Sequence, residues 1–484
     1  MGHPTVTIVG AGLAGSAMAI YLGRRGYQVS VYERRADPRD EGAQPRERRS
    51  INLGLSHRGI QALTAVGVAD RVLSRSVVAR GRMIHTTDGK QVFQPYGSEP
   101  HHVLHSIARR DLNAALIDQA ESACGVRFFF SHRCLDLDKK SAACLFRDES
   151  SGKTARAAAD FVIGADGTYS TVRARMQRRE RASFEQEFLD WGYKELTIPA
   201  APDGSSQIEL NALHIWPRGD CLIVSHPNLD GSHTATLFMP FEGGERSFTA
   251  LGTTDEVESL FARTFPDLVP LAPELVPEFL RHPTAPLVST RTSLWHYRDR
   301  VVLIGDGCHA VYPFYGQGMN AALEDCAVLD ACLERHPGDR ESAFREYQEL
   351  RKKNTDALHQ LVKQNFEELR DTVNSPVFRA RKRVDLVLSR LFPGRWIPLY
   401  NMVVHSNMPY SEALERARRQ DRIRRWSGLD LMLMVSLWVA GVCRLFPALA
   451  RAARTLARTV GPGWRRSAPT LAGADSVAVQ DTRR

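Results

Sequence analysis

Hydrophobic positions near the N-terminus follow two different periods. Residues 6–9 form a β-prone run, and Ala14, Ala17 and Ile20 then recur at helical spacing. A second apolar strand follows, in which Val29 and Val31 alternate with polar residues. This strand–helix–strand order predicts a parallel βαβ unit at the start of the chain.

Downstream, the patterns predict a second sheet and a helical C-terminal part. Residues 77–97 read as a hairpin of a separate sheet, and short alternating strands recur between 188 and 239. Buried strands are predicted at 161–164 and 301–304, and helices over 57–66, 109–123, 319–373 and after Pro376.

These elements predict an α/β fold (α+β overall), with a Rossmann-like dinucleotide-binding domain, a mostly antiparallel sheet domain and a helical C-terminal region. We assign residues 1–75, 98–185 and 285–375 to the discontinuous dinucleotide domain, and 76–97 with 186–284 to the substrate-binding sheet domain. Residues 376–460 form the C-terminal helical region, and 461–484 are expected to be a disordered tail.

One apolar run is short for a membrane-spanning helix. Residues 428–443 are nearly all apolar, Asp430 interrupts them, and arginines flank them. About 15 residues fall short of the roughly 20 that span a bilayer. A helix over 428–446 either touches an anionic membrane surface or packs on the rest of the protein, and the sequence leaves both open.

The composition limits the class of protein and indicates the cellular compartment. The chain has 484 residues, 43% of them hydrophobic, and a net charge of +9. We find no nucleic-acid-binding motif, so no nucleic-acid partner is expected. The eight cysteines lack zinc-ligand spacing, and we predict no metal site. We expect a cytoplasmic protein with free thiols and no signal peptide, membrane-associated at most through its C-terminus.

The first strand ends in a dinucleotide-binding motif. Gly10 permits a tight turn, Gly12 leaves room for a pyrophosphate, and Gly15 lets the helix pack closely on the sheet. The helix N-terminus offers free N–H groups to phosphate oxygens. Glu33 lies where a carboxylate accepts hydrogen bonds from ribose hydroxyls. The motif predicts an adenine dinucleotide without choosing which one.

Two further turns accompany this motif. Gly164-Ala-Asp-Gly167 and Gly305-Asp306 each end a buried strand, and the turn Gly316–Asn320 opens a helix. This combination resembles the group A FAD-dependent aromatic hydroxylases, and the resemblance implies FAD as the cofactor. It implies cofactor contacts at Gly10, Gly12, Leu13, Ala14, Gly15, Glu33, Arg34, Arg35, Gly54, Arg109, Cys134, Asp166, Val172, Asp306, Gly318, Met319 and Asn320.

Several longer blocks are similar to one family within that group, the kynurenine 3-monooxygenases. They are Arg49–Leu53, Arg80–Met83, Gln94–Gly97, Gly192–Leu196, Leu213–Pro217, Pro313–Asn320 and Ile397–Val403. The resemblance implies hydroxylation of L-kynurenine to 3-hydroxy-L-kynurenine with NADPH and O2, through a flavin C4a-hydroperoxide. It implies substrate contacts at Arg82, Tyr96, Asn365, Tyr400, Leu213, Phe238, Pro313 and Phe314.

In this interpretation Arg82, Tyr96 and Tyr400 bind the substrate carboxylate, because a planar guanidinium matches a carboxylate. No protein side chain is expected to act as a catalytic acid or base, since the flavin carries the chemistry. A second copy of the chain, as a homodimer, is counted among the expected partners.

Two alternatives stay open at this point. One is a hydroxylase of the same fold that acts on another amino- or hydroxy-substituted aromatic acid. The other, of a different class, is a non-hydroxylating, membrane-attached FAD reductase or binding protein, which the apolar run at 428–446 keeps open.

Overall fold

The computed structural model describes residues 3–40, 52–97, 99–372 and 376–427. The chain divides into two compact units, Met1–Arg424 and Arg425–Arg484, and only residues 425–427 of the second are described. The predicted apolar helix at 428–446 and the predicted tail at 461–484 both lie outside the described residues.

The strands run in chain order as follows: β1 Thr5–Val9, β2 Gln28–Tyr32, β3 Asn52–Leu55, β4 Val77–Ala79, β5 Gly81–His85, β6 Gln91–Pro95, β7 Leu104–Ala108, β8 Arg127–Phe129, β9 His132–Asp138, β10 Ala143–Asp148, β11 Thr154–Ala158, β12 Phe161–Gly164, β13 Phe184–Ile198, β14 Ala212–Pro217, β15 Leu222–Pro227, β16 His233–Pro240, β17 Ala285–Thr292, β18 His296–Tyr297 and β19 Val301–Leu303.

The α-helices are α1 Leu13–Arg24, α2 His57–Ala65, α3 Ala69–Leu73, α4 Arg109–Cys124, α5 Thr171–Gln177, α6 Thr254–Thr264, α7 Leu275–Arg281, α8 Asp306–His309, α9 Gly318–Arg335, α10 Arg340–Glu367, α11 Pro376–Leu391, α12 Leu399–Val404 and α13 Tyr410–Trp426. Short 3-10 turns occur at Phe248–Ala250, Val269–Leu271 and Pro313–Tyr315, and a π-helical turn, Glu368–Thr372, follows α10.

A six-stranded sheet in the order β18-β19-β12-β1-β2-β8 forms the dinucleotide domain. β1 pairs in parallel with both β2 and β12, and β12 pairs in parallel with β19. Helices α1, α4 and α9 contribute to the core that covers this sheet. The α/β class and the βαβ unit are thereby confirmed.

A seven-stranded sheet in the order β17-β13-β16-β15-β14-β5-β6 forms the second layer. All its pairs are antiparallel except β14 with β5, so the prediction of a mostly antiparallel sheet is confirmed. Its boundary differs from the expected one, because β17 pairs with β13 although residue 285 onward was assigned to the dinucleotide domain. The alternation of apolar and polar residues along a strand does not show which sheet an edge strand joins.

The two faces of this sheet pack against different helices. On one face Leu213 and Phe238 share a core with residues of α10, α12 and α13. On the other face Trp216 and Leu237 pack with α6 and α7. Side chains on neighbouring positions of one strand therefore enter different cores. The candidate substrate residues Tyr96, Leu213, Phe238, Phe314 and Tyr400 belong to, or pack against, the first core.

The structure also contains two smaller sheets. β9, β10 and β11 form a meander, and β3, β7 and β4 form a three-stranded sheet. No described helix is long and apolar enough to cross a membrane. The seven cysteines within the described residues are all free thiols.

Candidate active site

The glycine turn after β1 has the tight geometry that its sequence predicts. Gly10 has φ +105°, and a Cβ there would lie 2.4 Å from the carbonyl oxygen of Ala165. A Cβ on Gly15 would lie 2.0 Å from the carbonyl oxygen of Gly10. A Cβ on Gly12, by contrast, would have no neighbouring atom within 4 Å. Gly10 and Gly15 are therefore needed for packing, whereas Gly12 leaves its side of the turn open.

Three chain turns meet at one edge of the parallel sheet. β1, β12 and β19 are adjacent, and their carboxyl ends lead into Gly10, Asp166 and Asp306. Ligands of such sheets bind outside the carboxyl ends of the strands. Motifs that lie far apart in the sequence thus form a single site. Asp306 is exposed there, at the first position of α8.

Two longer helices begin near this edge without any side-chain cap. α1 begins after Gly12 and α9 after Gln317, and neither has an acidic residue in its first turn. The helices pack on each other, since the Cys326 thiol donates to the carbonyl oxygen of Ala14 over 3.3 Å. Uncapped N-termini carry partial positive charge that suits an anionic group. This region therefore fits a dinucleotide such as FAD.

Two predicted cofactor residues also have internal partners. The carboxylate of Glu33 accepts hydrogen bonds from the N–H groups of Ala11 (2.9 Å) and Arg35 (3.0 Å). Asp166 accepts from the Ser170 hydroxyl (2.5 Å) and the Val172 N–H (3.1 Å). Burial raises the pKa of Asp166, although these hydrogen bonds oppose the shift. Both carboxylates brace the turns on which they lie.

Asn320 is completely buried and its side chain is fully used within the protein. Its amide donates to the carbonyl oxygens of Gly54 and Gly316, each over 2.9 Å, and its oxygen accepts from the Ser56 N–H. A Cβ on Gly59 would lie 2.1 Å from that oxygen. Asn320 therefore joins α9 to the β3–α2 turn, and Gly59, which the sequence analysis missed, makes room for it.

The other predicted cofactor residues differ in exposure. Leu13, Cys134 and Val172 belong to the hydrophobic core of this domain, so their side chains already have apolar neighbours. Arg34, Arg35 and Arg109 are exposed, whereas Ala14, Gly54, Gly318 and Met319 are partly buried. Contacts of this whole set with FAD stay predictions.

A cluster of one arginine and two tyrosines lies beside the seven-stranded sheet. The guanidinium carbon of Arg82, on β5, lies 4.6 Å from the ring centre of Tyr400 and 5.7 Å from that of Tyr96. The two tyrosine rings stack at 5.2 Å with 12° between their planes. No ion pair found among the described residues includes Arg82. Residues from β5, from the chain after β6 and from α12 thus build one cationic cluster.

Both tyrosines keep their protons at neutral pH. Burial raises the pKa of Tyr96 well above its usual value, and it raises that of Tyr400 although Arg82 opposes the shift. The Tyr96 hydroxyl is buried with no hydrogen-bond partner of good geometry in the described part of the chain, although Arg82 and Tyr400 lie close enough to influence its pKa. Because an unsatisfied buried hydroxyl is costly, this one is suited to donate to a bound anion.

A cavity opens beside the cluster and continues along α10. It is lined by Arg82, Tyr96, Gln364, Asn365, Glu368, Leu369 and Tyr400, among others. Asn365 donates from its amide to the carbonyl oxygen of Phe314 over 2.7 Å. Gln364 and Glu368 are not among the predicted site residues, although their helical spacing from Asn365 and Leu369 predicts a shared face. Glu368 begins a π-helical turn, a feature frequent at functional sites.

The predicted apolar contacts lie next to this cavity. Leu213, Phe238 and Phe314 are buried in the same core as Tyr96. The ring of Phe314 lies 5.2 Å from that of Phe238 and 4.4 Å from that of Phe366. Pro313 is exposed at the start of its 3-10 turn. The structure thus places the cluster of Arg82, Tyr96 and Tyr400 in the same core as these aromatic rings, while its binding of a substrate carboxylate stays a prediction.

One buried group has the side chains of a metal site. Ligand atoms of Cys308, His309 and Asp325 lie within 4.8 Å of one another. However, Asp325 already accepts from the Gly305 N–H (2.9 Å), from His309 (2.5 Å) and from the Arg351 guanidinium (2.7 Å). The adjacent guanidinium repels a cation, so we assign this group to the packing of the Gly305 turn.

Comparisons with known proteins agree with this geometry. A family described as "FAD binding domain" matches residues 3–358. The tetrameric form of 2-methyl-3-hydroxypyridine-5-carboxylic acid oxygenase has a similar fold, with a TM-score of 0.62 at 20% identity over 78% of this chain and 95% of that one. The class is therefore that of the proteins with this FAD-binding domain, and the solved structure shows the same fold.

More similar relatives define the family. Kynurenine 3-monooxygenase of Salinispora arenicola is 50% identical over 449 residues, 93% of this chain and 98% of the relative. That of Dictyostelium discoideum is 41% identical over 420 residues, 84% of this chain and 89% of the relative. The chain belongs to the kynurenine 3-monooxygenase family, so the predicted FAD cofactor and the predicted enzyme class are confirmed.

Proposed function

We propose that this enzyme hydroxylates L-kynurenine at ring carbon 3 to give 3-hydroxy-L-kynurenine, with NADPH as electron donor and O2 as oxygen source. The names of the relatives, which are kynurenine 3-monooxygenases, support the substrate. The observation that carries the proposal is the cluster of Arg82, Tyr96 and Tyr400, which presents a cation and a buried, unpartnered hydroxyl to one cavity.

The cavity matches the charges of an α-amino acid. Arg82 offers a planar fork for the carboxylate, and neutral Tyr96 and Tyr400 add hydroxyl donors. Glu368 adds an acidic side chain to the lining of the same cavity. The aromatic wall of Phe238 and Phe314 suits the substrate ring. A simple aromatic acid would use only the cluster of Arg82, Tyr96 and Tyr400 and the aromatic rings.

When bound, FAD accepts two electrons from NADPH and activates O2, so the protein needs no strong base of its own. Its residues hold the substrate by the carboxylate and exclude water from the ring, which favours transfer of oxygen to the substrate over release of H2O2. Asp306, the Gly12 turn and Arg109 would hold the cofactor at the sheet edge.

The direct test measures NADPH oxidation by the FAD-loaded full chain with and without L-kynurenine. We expect L-kynurenine to raise the rate and the product to be 3-hydroxy-L-kynurenine by chromatography and mass spectrometry. Anthranilate, which keeps the amino-substituted ring and lacks the amino acid side chain, is the matched control and should not be hydroxylated. An unchanged rate with L-kynurenine refutes the proposed substrate.

We further propose that residues 428–446 contact an anionic membrane surface. The described residues that lead into this segment support it, because α13 is rich in arginine and ends at Trp426, which is 87% exposed. Cosedimentation with vesicles containing an acidic phospholipid should retain the full chain and lose it at high salt. Equal retention on neutral vesicles would contradict an electrostatic contact.

A further inference from the structure

A buried arginine holds the segment that carries Tyr400. The side chain of Arg58, on α2, is 2% exposed, and its guanidinium lies 3.9 Å from the ring centre of Tyr410. It donates to the carbonyl oxygens of Val403 (3.2 Å), Ser406 (3.4 Å) and Met408 (3.0 Å). Arg58 therefore binds the end of α12 and the chain after it.

A second buried arginine holds the turn that carries Asp306. Arg351, on α10, donates to Asp325 over 2.7 Å and to the carbonyl oxygen of Ala321 over 3.1 Å. Asp325 in turn accepts from the Gly305 N–H and from His309, which lie on either side of Asp306. The chain from Gly305 to His309 is thereby attached to α9.

One carboxylate joins these two arginines. Glu324, next to Asp325 on α9, accepts from Arg58 with one oxygen (2.8 Å) and from Arg351 with the other (2.5 Å). The path from the substrate-side helix to the cofactor-side turn is thus Arg58, Glu324, Arg351 and Asp325, with every link a hydrogen-bonded ion pair. Two arginines and two carboxylates also balance in charge, so the buried group has no net charge.

We propose that Glu324 is a positioning residue, which fixes the segment carrying Tyr400 relative to the turn carrying Asp306. Glu324 lines neither site directly, and it acts only through the two arginines. The inference rests on the proposed function for its kinetic consequence: a substrate held by Tyr400 has its ring placed correctly against the flavin only while this link is intact. A contact geometry set by two directional ion pairs suits such a role better than apolar packing does.

The decisive variant is Glu324→Gln in the FAD-loaded full chain. It keeps the shape of the side chain and removes the charge that both arginines share. We expect the affinity for L-kynurenine to stay within about threefold, because Arg82, Tyr96 and Tyr400 are untouched. The factor by which L-kynurenine raises NADPH oxidation should fall at least about fivefold, the lower end of typical coupling between sites.

Hydrogen exchange gives a readout that needs no substrate. In Glu324→Gln, amides of Gly305–His309 and of the chain from Val403 to Met408 should exchange faster together, because both segments lose one shared support. The matched control is Asp330→Asn on the same helix, which breaks an ion pair with Arg25 outside the path and should change neither segment. Exchange that is unchanged in either segment overturns the proposal.

The outcomes separate this inference from the proposed function. A native enzyme that ignores L-kynurenine removes the proposed substrate, while the exchange result still decides the positioning role. If L-kynurenine raises NADPH oxidation by the same factor in Glu324→Gln as in the native enzyme, only the positioning role is overturned. Where Glu324→Gln does not retain FAD, Arg58→Lys carries the same test: it keeps a charge for Glu324 and loses the three-carbonyl contact, and normal stimulation there overturns the proposal.

Discussion

Replacing Arg82 by methionine removes the guanidinium from the carboxylate-binding cluster and keeps most of the apolar stem. In the native enzyme this guanidinium lies 4.6 Å from the Tyr400 ring centre, and its partners are tyrosine rings and hydroxyls rather than acids. Among the described residues, its removal therefore leaves no carboxylate without a partner. We expect Arg82→Met to fold and to hold FAD normally.

The loss should appear in substrate affinity. Truncating one partner of a buried, hydrogen-bonded charge pair costs about 2–5 kcal/mol, which corresponds to a Kd about 30-fold to 5,000-fold higher. Arg82→Lys keeps the charge and loses the fork, so its Kd should lie between those of Arg82→Met and the native enzyme. The Kd for L-kynurenine should therefore rise from the native enzyme to Arg82→Lys and rise further in Arg82→Met.

Titration of the flavin absorbance spectrum with L-kynurenine measures these Kd values. Arg291→Met is the matched control, since Arg291 lies on the same seven-stranded sheet and pairs with Glu185 at the surface. The control should bind L-kynurenine as the native enzyme does. A Kd for Arg82→Met within threefold of the native value would refute the carboxylate assignment.

Three further predictions follow from the geometry. Tyr96→Phe removes a buried hydroxyl without a partner, so it should raise the Kd for L-kynurenine roughly tenfold without lowering the free energy of unfolding in urea; a loss of stability would contradict this. Gly12→Ala should keep the stability of the FAD-free protein and lower its affinity for FAD at least about tenfold. Gly15→Ala, whose Cβ would lie 2.0 Å from a carbonyl oxygen, should instead lose about 3 kcal/mol or more of stability. Equal effects of the two variants in urea unfolding and in flavin titration would refute this distinction. Burial lowers the pKa of His214 to about 4 and that of His233 to about 3, below their ordinary value in the unfolded chain, so their contribution is complete above pH 6.5 and is lost as the pH falls from there toward 3–4. Burial also lowers the pKa of His226, His359 and His405, so urea unfolding should show at least about 2–4 kcal/mol less stability at pH 5 than at pH 7. Equal values would contradict this.

Sequence patterns predicted the frame of the cofactor site because its requirements are local. Gly10 and Gly15 are constrained by backbone contacts within a few ångströms, and such contacts are typical of the motif itself. Asp166 and Asp306 lie at one edge because each follows a buried strand of the same parallel sheet, but their prediction as cofactor residues depended on resemblance to a family. The prediction of Arg82, Tyr96 and Tyr400 as substrate residues depended on the same resemblance.

The hydrogen-bond partners of the side chains could not be predicted from the spacing of residues along the sequence. Nothing in the sequence shows that Asp166 accepts hydrogen bonds from Ser170 and Val172. Nor does it show that the Asn320 amide donates to the carbonyl oxygens of Gly54 and Gly316. The path from Arg58 through Glu324 to Arg351 was also missed, since its members lie on three helices and polar residues on amphipathic helices usually face solvent. Long-range ion pairs of this kind become visible only when the helices are packed.

The central claim is that this chain transfers one atom of O2 to the ring of L-kynurenine. Turnover with NADPH under oxygen-18 gas, followed by mass spectrometry of the product, tests it most directly. We expect 3-hydroxy-L-kynurenine that carries one oxygen-18 atom in its new hydroxyl group. NADPH oxidation that yields only H2O2, or a hydroxylated product without the label, would contradict it.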